Sequence, residues 1–470
     1  MHADRDVLIF LALQYPDAVT TRDYKGDLII HSVLDQGKAD IPKRSTIELL
    51  LQWNPQSVQM KSNFDDGSCP LGIAFRAGQT TKIVEKIIAE RIRQHITHFE
   101  IGSWKNYVLD WKGSSRLVHE LLPKLFLTSF TCEPESYTTE GFVHLVEYLV
   151  KDYRIEELTL SLPLMVTNTN TTTNNSISNR NSNNGCNEGE SFLRFLRLNS
   201  TVRELSLSRK ELPAMTIKNG TNILLEGLRG NETLESLSIS GLFVMQSKEL
   251  GILIASAPET LVIEHLMIEK KWKSKNTLHW GTSKLKNFTI RNPKMRGDIL
   301  EKLLGALPML YGLRKLELDF SGPQTDNDLK FLMDDRDVTP GLIALLEKNR
   351  LRSLIIKGLN VEIRALSWIL HTNSSLRVLH VDTKLNELPM KVQCLLTALE
   401  HNNTTLEDIR FHCDYQLEEQ LADDSDDGAG RRSKHGVGVT FKYVTDPAIQ
   451  FFTQRNRALK REKLRQVTIH

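Results

Sequence analysis

The sequence has few of the features that identify a membrane protein, a secreted protein or a polyanion-binding protein. No apolar run in its 470 residues approaches the ~20 that a membrane-spanning helix needs. The N-terminal residues lack a cationic stretch followed by an apolar one, so no secretory signal is visible. The 60 lysines and arginines nearly cancel the 58 aspartates and glutamates, which leaves no overall attraction to nucleic acid or to an anionic membrane. We therefore expect no membrane association.

Cysteine is scarce and widely scattered. The five cysteines are Cys69, Cys132, Cys186, Cys394 and Cys413, and no two of them form a Cys-x-x-Cys pair. An odd, dispersed set argues against a disulfide framework. It fits a reducing compartment, in which a buried cysteine behaves as a small apolar residue. We expect an intracellular protein, in the cytoplasm or, as the alternative, in the nucleus.

Four common catalytic or phosphate-binding signatures are absent from the sequence. It contains no Gly-x-x-x-x-Gly-Lys-Ser/Thr, no Gly-x-Gly-x-x-Gly, no Gly-x-Ser-x-Gly and no His-Glu-x-x-His. His95 and His98 suggest a metal pair, but no third ligand follows nearby, so a solvated pair is favoured. Distant residues can still assemble into a catalytic triad. These observations predict a protein that is not an enzyme and that holds no metal or cofactor.

What the sequence has instead is a repeat of the form apolar-x-x-apolar-x-apolar. It occurs eleven times, beginning at Ile96, Leu122, Ile155, Val202, Leu234, Ile263, Leu285, Leu313, Leu351, Leu376 and Leu406. From the Val202 copy to the Leu406 copy the mean period is about 29 residues. The end of each copy alternates as a strand does. Between copies, apolar residues three and four apart predict helices, as in Phe142, Leu145 and Val146.

A second signature marks the junction between each predicted helix and the strand that follows. Asn-x-Ser/Thr-apolar occurs there four times, beginning at Asn199, Asn231, Asn373 and Asn403. Asparagine tolerates the left-handed conformation that ends a helix, and the hydroxyl can bond freed backbone groups. We therefore interpret these sequences as turns rather than as glycosylation sites.

On these residues, the chain from about Ile96 resembles the ribonuclease-inhibitor-like class of leucine-rich-repeat proteins. The resemblance implies an α/β solenoid shaped as a horseshoe, with parallel strands on the concave face and helices outside. The interval from Ile263 to Leu285 is only 22 residues and that from Leu313 to Leu351 is 38, so we expect an irregular horseshoe. The solenoid is predicted to span residues 93–436, with a disordered Asn/Thr/Ser insert at 167–190 and an acidic loop at 416–436. A strand–helix cap and a basic tail are predicted at 437–470.

Residues 1–92 follow a different pattern. Asp-x-x-Gly at 23–26 leads to Leu-Ile-Ile-His at 28–31, and about 41 residues later Phe-x-x-Gly at 64–67 leads to Cys-Pro-Leu-Gly at 69–72. Tyr15-Pro16 and Asn54-Pro55 are a further matching pair. The segment resembles ankyrin repeats, whose turn reads Asp-x-x-Gly-x-Thr-Pro-Leu-His, and the resemblance implies an all-α segment. A plain helical cap is the alternative. The chain begins within a predicted apolar helix, which leads us to expect further repeats upstream.

The strand register predicts a candidate binding surface. The candidate partner-binding residues, which alternate with the apolar positions, are Lys315, Glu317, Asp319, Lys357, His380, Asp382, Asp408, Arg410 and His412. Charged groups of mixed sign suit a protein partner, although a solvated sheet face without a fixed partner explains them equally well. We therefore expect a scaffold or adaptor that binds a protein partner.

Two alternative functions stay open. Lys270, Lys271, Trp272, Lys273, Lys275 and Trp280 place basic residues beside aromatic ones, as in proteins that neutralise phosphates and stack bases. A solvated loop whose tryptophans cover the core explains the same residues. The other alternative is a substrate-recognition subunit of a larger complex such as a ubiquitin ligase, although no adaptor-docking motif is visible.

Overall fold

The computed structural model divides the chain into two compact units, Met1–Phe243 (unit 1) and Val244–His470 (unit 2). It describes residues 10, 14–24, 26–34, 44–62, 69–76, 85, 96–101, 108–134, 136–152, 154–162, 188–208, 218–241, 243–268, 280–321, 339–347, 350–359, 367, 370–371, 373–383, 397–398, 405–415, 439–441 and 454. None of the helices in these ranges has the length and apolar character that crossing a bilayer requires. The predicted acidic loop at 416–436 lies outside the described residues.

Unit 1 begins with helical elements that repeat in pairs. They are 3-10 helices at Pro16–Val19 and Pro55–Gln59, and α-helices α1 (Ile29–Leu34), α2 (Arg44–Trp53) and α3 (Pro70–Arg76). Tyr15 (φ −134°, ψ 70°) and Asn54 (φ −137°, ψ 78°) share one backbone conformation. The proline after each of them starts a 3-10 helix, because proline fixes its own φ and keeps the preceding residue out of the helical conformation. The paired motifs of the sequence therefore adopt matching local structures.

The rest of unit 1 alternates strands with helices. The strands are β1 (His98–Ile101), β2 (Val108–Leu109), β3 (Ser129–Cys132), β4 (Ser136–Tyr137), β5 (Glu157–Ser161), β6 (Glu204–Ser208) and β7 (Ser236–Ile239). The helices are α4 (Trp111–Ser115), α5 (Thr139–Lys151), α6 (Glu188–Leu198) and α7 (Lys218–Leu228), with a π-helix at Arg116–Leu121 and a 3-10 helix at Leu122–Lys124. Strands β1, β3, β5, β6 and β7 pair in parallel in that order, and β2 pairs in parallel with β4.

The core of unit 1 lies between this sheet and its helices. Alternate strand residues are fully buried, and Phe99 of β1 stacks on Phe130 of β3 with ring centroids 6.0 Å apart. On the helices, the rings of Phe142 and Phe192 lie 6.2 Å apart. A single repeat of one strand and one helix cannot bury its apolar faces by itself. Stacked repeats bury them between the parallel sheet and the helices.

Unit 2 repeats the same alternation. Its strands are β8 (Phe243–Met245, at the boundary between the units), β9 (Thr260–Glu264), β10 (Leu266–Ile268), β11 (Asn287–Arg291), β12 (Lys315–Asp319), β13 (Ser353–Lys357), β14 (Val378–Thr383), β15 (Asp408–Tyr415) and β16 (Val439–Phe441). Its α-helices are α8 (Ser247–Ser256), α9 (Gly297–Ala306) and α10 (Thr339–Glu347), with 3-10 helices at Trp280–Thr282 and Leu307–Met309. Strands β9 and β11 to β15 pair in parallel in sequence order. Strand β16 pairs antiparallel with β15.

Two of the eleven predicted strand registers are wrong, each by five residues. The copy predicted from Leu122 lies in β3 at Phe130 and Cys132, and the copy predicted from Ile263 lies in β9 at Leu261 and Ile263. Near both strands the sequence fits the repeat in two overlapping frames, so the pattern alone cannot choose between them. In the second case the chain turns at His265, whose φ is +58°, which ends the strand.

The predicted Asn-x-Ser/Thr turns are present at three sites, but the asparagine acts through its side chain. Asn199 Oδ1 accepts from the backbone N–H groups of Thr201 and Val202 at 3.1 and 2.8 Å, and its Nδ2 donates to the carbonyl of Leu149 at 3.0 Å. The same set of bonds is made by Asn231 and Asn373. None of the three has a positive φ, so the expected left-handed conformation is wrong.

The hydroxyl of each turn bonds a backbone carbonyl, as expected, but that carbonyl belongs to the preceding repeat rather than to the end of its own helix. Thr201, Thr233 and Ser375 each donate to a backbone carbonyl of the repeat before, at 3.3, 3.3 and 2.9 Å. Each turn therefore joins two repeats through both of its polar side chains. Asn403 lies outside the described residues.

The predicted disordered insert at 167–190 is too long at its C-terminal end. Residues 188–190 form the start of α6, and 167–187 lie outside the described residues. Near the C-terminal end of the chain, Val439 and Phe441 lie on a strand, β16, as expected. The predicted final helix and basic tail lie outside the described residues, apart from the single helical residue 454.

Candidate functional site

The candidate site is the exposed side of the unit 2 sheet, which we call the charged strand face. Its charged members with described side chains are Glu264, Arg291, Lys315, Glu317, Asp319, Lys357, His380, Asp408 and Arg410. They alternate along their strands with buried apolar residues such as Leu316 and Leu318, because successive strand residues point to opposite faces. The predicted residues Asp382 and His412 occupy the same positions in register with each other, but their side chains lie outside the described residues.

The first group of charges lies on β9, β11 and β12. Arg291 pairs with Glu264 through Nη1 at 2.9 Å and approaches Glu317 through Nη2 at 3.8 Å. Lys315 pairs with Glu317 at 3.2 Å. Glu264 was missed by the sequence prediction because the register of β9 was misplaced. The correct frame, with Leu261 and Ile263 buried, would have shown Glu264 on this face.

The second group joins β12 to β13. Lys357 Nζ lies 3.3 Å from Asp319 Oδ2, and the backbone N–H and hydroxyl of Ser321 both donate to Asp319 Oδ1, at 3.0 and 2.5 Å. Burial raises the pKa of the Asp319 carboxyl, but the Ser321 hydrogen bonds and the Lys357 charge outweigh it and hold the pKa below its usual value. Asp319 therefore stays ionised at neutral pH.

The third group lies on β14 and β15. His380 Nε2 and Asp408 Oδ2 are 3.1 Å apart, and Arg410 approaches the two carboxylate oxygens of Asp408 at 3.3 and 3.4 Å. Burial raises the pKa of the Asp408 carboxyl. The hydrogen bonds from His380 and Arg410 lower it by more, so the pKa lies below its usual value. Since a carboxylate only accepts, His380 donates from Nε2.

The charged strand face has no net charge among its described residues. Glu264, Glu317, Asp319 and Asp408 balance Arg291, Lys315, Lys357 and Arg410, four against four with His380 neutral. The cations stand further into solvent than the carboxylates beneath them. Arg291 is 45% exposed against 11% for Glu317, and Lys357 is 43% exposed against 16% for Asp319. A partner would therefore meet ammonium and guanidinium groups first.

The corresponding strand face of unit 1 has a different chemistry. Its side chains are mainly the hydroxyls of serine and threonine on β3 and β5 to β7. His98 Nδ1 lies 2.9 Å from the Ser129 hydroxyl, and its Nε2 lies 3.5 Å from Glu100. His95 lies outside the described residues, and within the described part of the chain no group of three or more histidine, cysteine, aspartate or glutamate residues could hold a metal ion.

Of the predicted nucleic-acid residues, only Trp280 is among the described residues. Lys270, Lys271, Trp272, Lys273 and Lys275 lie outside the described residues. Trp280 is fully buried, and its indole N–H donates to the carbonyl of Gly251 at 2.9 Å. Its proposed role in base stacking is therefore wrong, because a ring that packs in the core presents no face to a base.

Comparisons with known proteins found weak structural likenesses and no related sequence. No protein-family model matches the chain, and no curated protein matches it. A solved protein from Bacteroides fragilis is 14% identical, with 46% of this chain and 61% of that chain covered and a TM-score of 0.31. The structure of Rad7 in complex with Elc1 from yeast gives 14% identity, coverage of 86% and 89%, and a TM-score of 0.38. This chain thus spans less than two thirds of the first protein, and both likenesses are too weak to support a functional argument.

The class of protein follows from the strands and helices themselves. Each unit repeats strand and helix along the chain, and successive strands pair in parallel. This is a mixed α/β repeat protein. Repeat sheets of this kind provide extended surfaces on which a partner can be held, so the side chains on those surfaces carry the functional argument.

Proposed function

We propose that the chain is a non-catalytic scaffold that binds a protein partner on the charged strand face of unit 2. The observation that carries the proposal is the set of cations held by ion pairs over more deeply placed carboxylates. Each ion pair is partly exposed and contributes little to folding, about 0–1 kcal/mol. The pairs instead fix the positions of the charges before a partner arrives, which favours specific and rapid association.

The absence of net charge on this face favours a protein partner over nucleic acid. Nucleic-acid binding draws on the release of counterions by an excess of lysine and arginine, and the described residues of the face supply no such excess. A protein surface can match a pattern of both signs. We infer that the partner places carboxylates against the exposed tips of Arg291, Lys357 and Arg410.

We further infer that the repeats of units 1 and 2 are leucine-rich repeats of the ribonuclease-inhibitor-like class. What supports this is the position of the Asn turns, whose side chains join consecutive repeats at Asn199, Asn231 and Asn373. The irregular horseshoe expected from the uneven repeat lengths stays a prediction.

The ankyrin-like interpretation of residues 1–92 gains its support from His31. Its Nδ1 accepts from the backbone N–H of Leu28 at 3.0 Å, and its Nε2 lies 2.8 Å from the carbonyl of Met60. His31 is buried and so links its own helix to the next repeat, at the position of the histidine in Thr-Pro-Leu-His. In the second copy Gly72 stands at this position, so the link is made once.

The narrower hypothesis, a substrate-recognition subunit of a larger complex such as a ubiquitin ligase, is a special case of the same scaffold. It requires a second surface that docks an adaptor while the charged strand face holds the substrate. It would be supported if a variant altered on the charged strand face lost its protein partner there but still co-purified with a ligase subunit.

The test of the proposal is affinity purification from native lysate followed by direct binding measurements. A face variant carries Lys315→Ala, Asp319→Ala, His380→Ala and Arg410→Ala. Its matched control removes two exposed ion pairs of unit 1, Arg197–Glu226 and Arg203–Glu235, by four alanine substitutions. We expect a protein that binds the wild type and the control but not the face variant, with or without nuclease. If the face variant keeps every partner, or if recovery depends on nuclease treatment, the proposal is wrong.

A further inference from the structure

A second charged surface lies at the start of the unit 2 strands, at the residue that precedes each strand. The residues immediately before β9 and β11 to β15 form a row, consisting of Glu259, Lys286, Arg314, Arg352, Arg377 and Glu407. The backbone N–H of each residue after Glu259 donates to the carbonyl of the one before it, at 2.7 to 2.8 Å. The row is therefore a fixed ladder with one charge per strand, at a spacing of about 4.8 Å.

The two ends of this row are neutralised. Lys286 pairs with Glu259 at 2.5 Å, and Arg377 pairs with Glu407 at 3.3 Å. The two central arginines, Arg314 and Arg352, have no carboxylate partner among the residues that the structure describes. The row thus places its excess positive charge at its centre.

A third arginine and an exposed aromatic ring extend this centre. The Arg350 guanidinium lies over the ring of Tyr311, 4.6 Å from its centroid, and Tyr311 is 59% exposed. Arg314 Nη1 lies 3.4 Å from the carbonyl of Tyr311 and 3.5 Å from that of Arg350. These contacts hold Tyr311, Arg314, Arg350 and Arg352 together, and we call them the arginine edge.

We propose that the arginine edge binds a short acidic segment of a protein. Guanidinium groups bind carboxylates through two parallel hydrogen bonds, and three of them on neighbouring positions match acidic residues that are close together in an extended chain. The stacking on Tyr311 holds Arg350 in place at low entropic cost. None of its residues belongs to the charged strand face, so the protein could hold two partners, or two parts of one.

The ends of the row argue against a nucleic-acid strand as the occupant. A polyanion that follows the row meets Glu259 at one end and Glu407 at the other, about 24 Å apart at the strand spacing. Each of these carboxylates is paired with a cation of the row, Lys286 or Arg377, so phosphates that extend beyond the centre would meet no excess positive charge and would release no further counterions. A peptide with a few acidic residues fits between them.

The test uses a fluorescein-labelled octaglutamate peptide and fluorescence anisotropy at low salt. The full chain is compared with the variant Arg314→Gln, Arg350→Gln, Arg352→Gln and with a matched control, Lys124→Gln, Arg197→Gln, Arg203→Gln. The control loses the same net charge from exposed, ion-paired positions of unit 1. We expect affinity to fall at least tenfold in the first variant and less than twofold in the control. Arg352→Glu, a single exposed change, should also weaken binding at least tenfold if the triple variant does not fold.

Three results would overturn the proposal. The first is that the wild type does not bind octaglutamate. The second is that the control loses as much affinity for the peptide as the arginine variant does. The third is that the wild type binds a single-stranded oligothymidine more tightly than octaglutamate and that the arginine variant loses this binding. The face variant with Ala at 315, 319, 380 and 410 should bind the peptide as the wild type does, so a failure of the strand-face proposal is distinguishable from a failure here.

Discussion

The Asn turn at Asn199 gives the most direct test of how the repeats are held together. Its side chain is buried and makes three hydrogen bonds to backbone groups, namely the N–H groups of Thr201 and Val202 and the carbonyl of Leu149. Asn199→Ala leaves at least two of these backbone groups without a partner. A buried group left unsatisfied costs about 1–3 kcal/mol, so we expect a loss of about 3 kcal/mol in the free energy of unfolding.

The assay is thermal denaturation of the full chain. A loss of about 3 kcal/mol corresponds to a fall in Tm of about 6–12 °C for a unit of this size. The control is Ser200→Ala, which changes the exposed neighbouring residue and should move Tm by less than about 2 °C, as an exposed change does. Asn231→Ala should act as Asn199→Ala does, because its bonds are the same. Equal Tm values for Asn199→Ala and Ser200→Ala would refute the reasoning.

Three further predictions concern single residues. Trp280→Phe removes a buried N–H donor and should lower stability by about 2 kcal/mol in a denaturant titration; an unchanged midpoint would contradict its core position. Burial lowers the pKa of His31 below its ordinary value, so the folded state resists protonation and stability should fall as pH drops below about 6.5. His31→Gln should remove that part of the pH dependence in a Tm series, and an identical slope in both proteins would count against it. Gly358 has φ +70° and an added Cβ would lie 2.7 Å from the backbone of Phe320, so Gly358→Ala should destabilise by about 2 kcal/mol. Gly305→Ala, where nothing lies within 4 Å, is its control, and an equal cost for both changes would refute the steric argument.

The strands were predictable from the sequence wherever only one repeat frame fitted. At the copies that begin at Leu313 and Leu351, for instance, every apolar position of the pattern is buried, and the last two of each copy lie on β12 and β13. The frames at Leu122 and Ile263 failed because apolar residues recur there at overlapping spacings. A choice between such frames depends on which residues pair across strands, and one repeat read by itself does not contain that information.

The charged strand face was partly predictable for the same reason. Alternation shows that Lys357 and Asp319 share a face, but their ion pair joins residues 38 positions apart and depends on the register of β12 and β13. The arginine edge could have been found by aligning the repeat copies and reading the position before each strand. Trp280 could not have been placed, because an aromatic residue beside lysines suits a base-stacking site and a core equally well.

The central claim is that the charged strand face holds a protein partner. The measurement that tests it most directly is the Kd of the recovered partner for the wild type, the face variant and the matched unit 1 control, by calorimetry with purified proteins. Loss of interfacial charge pairs costs about 3 kcal/mol or more, so we expect the Kd to rise at least ~100-fold in the face variant and to stay unchanged in the control. Equal Kd values for the face variant and the wild type would contradict the claim.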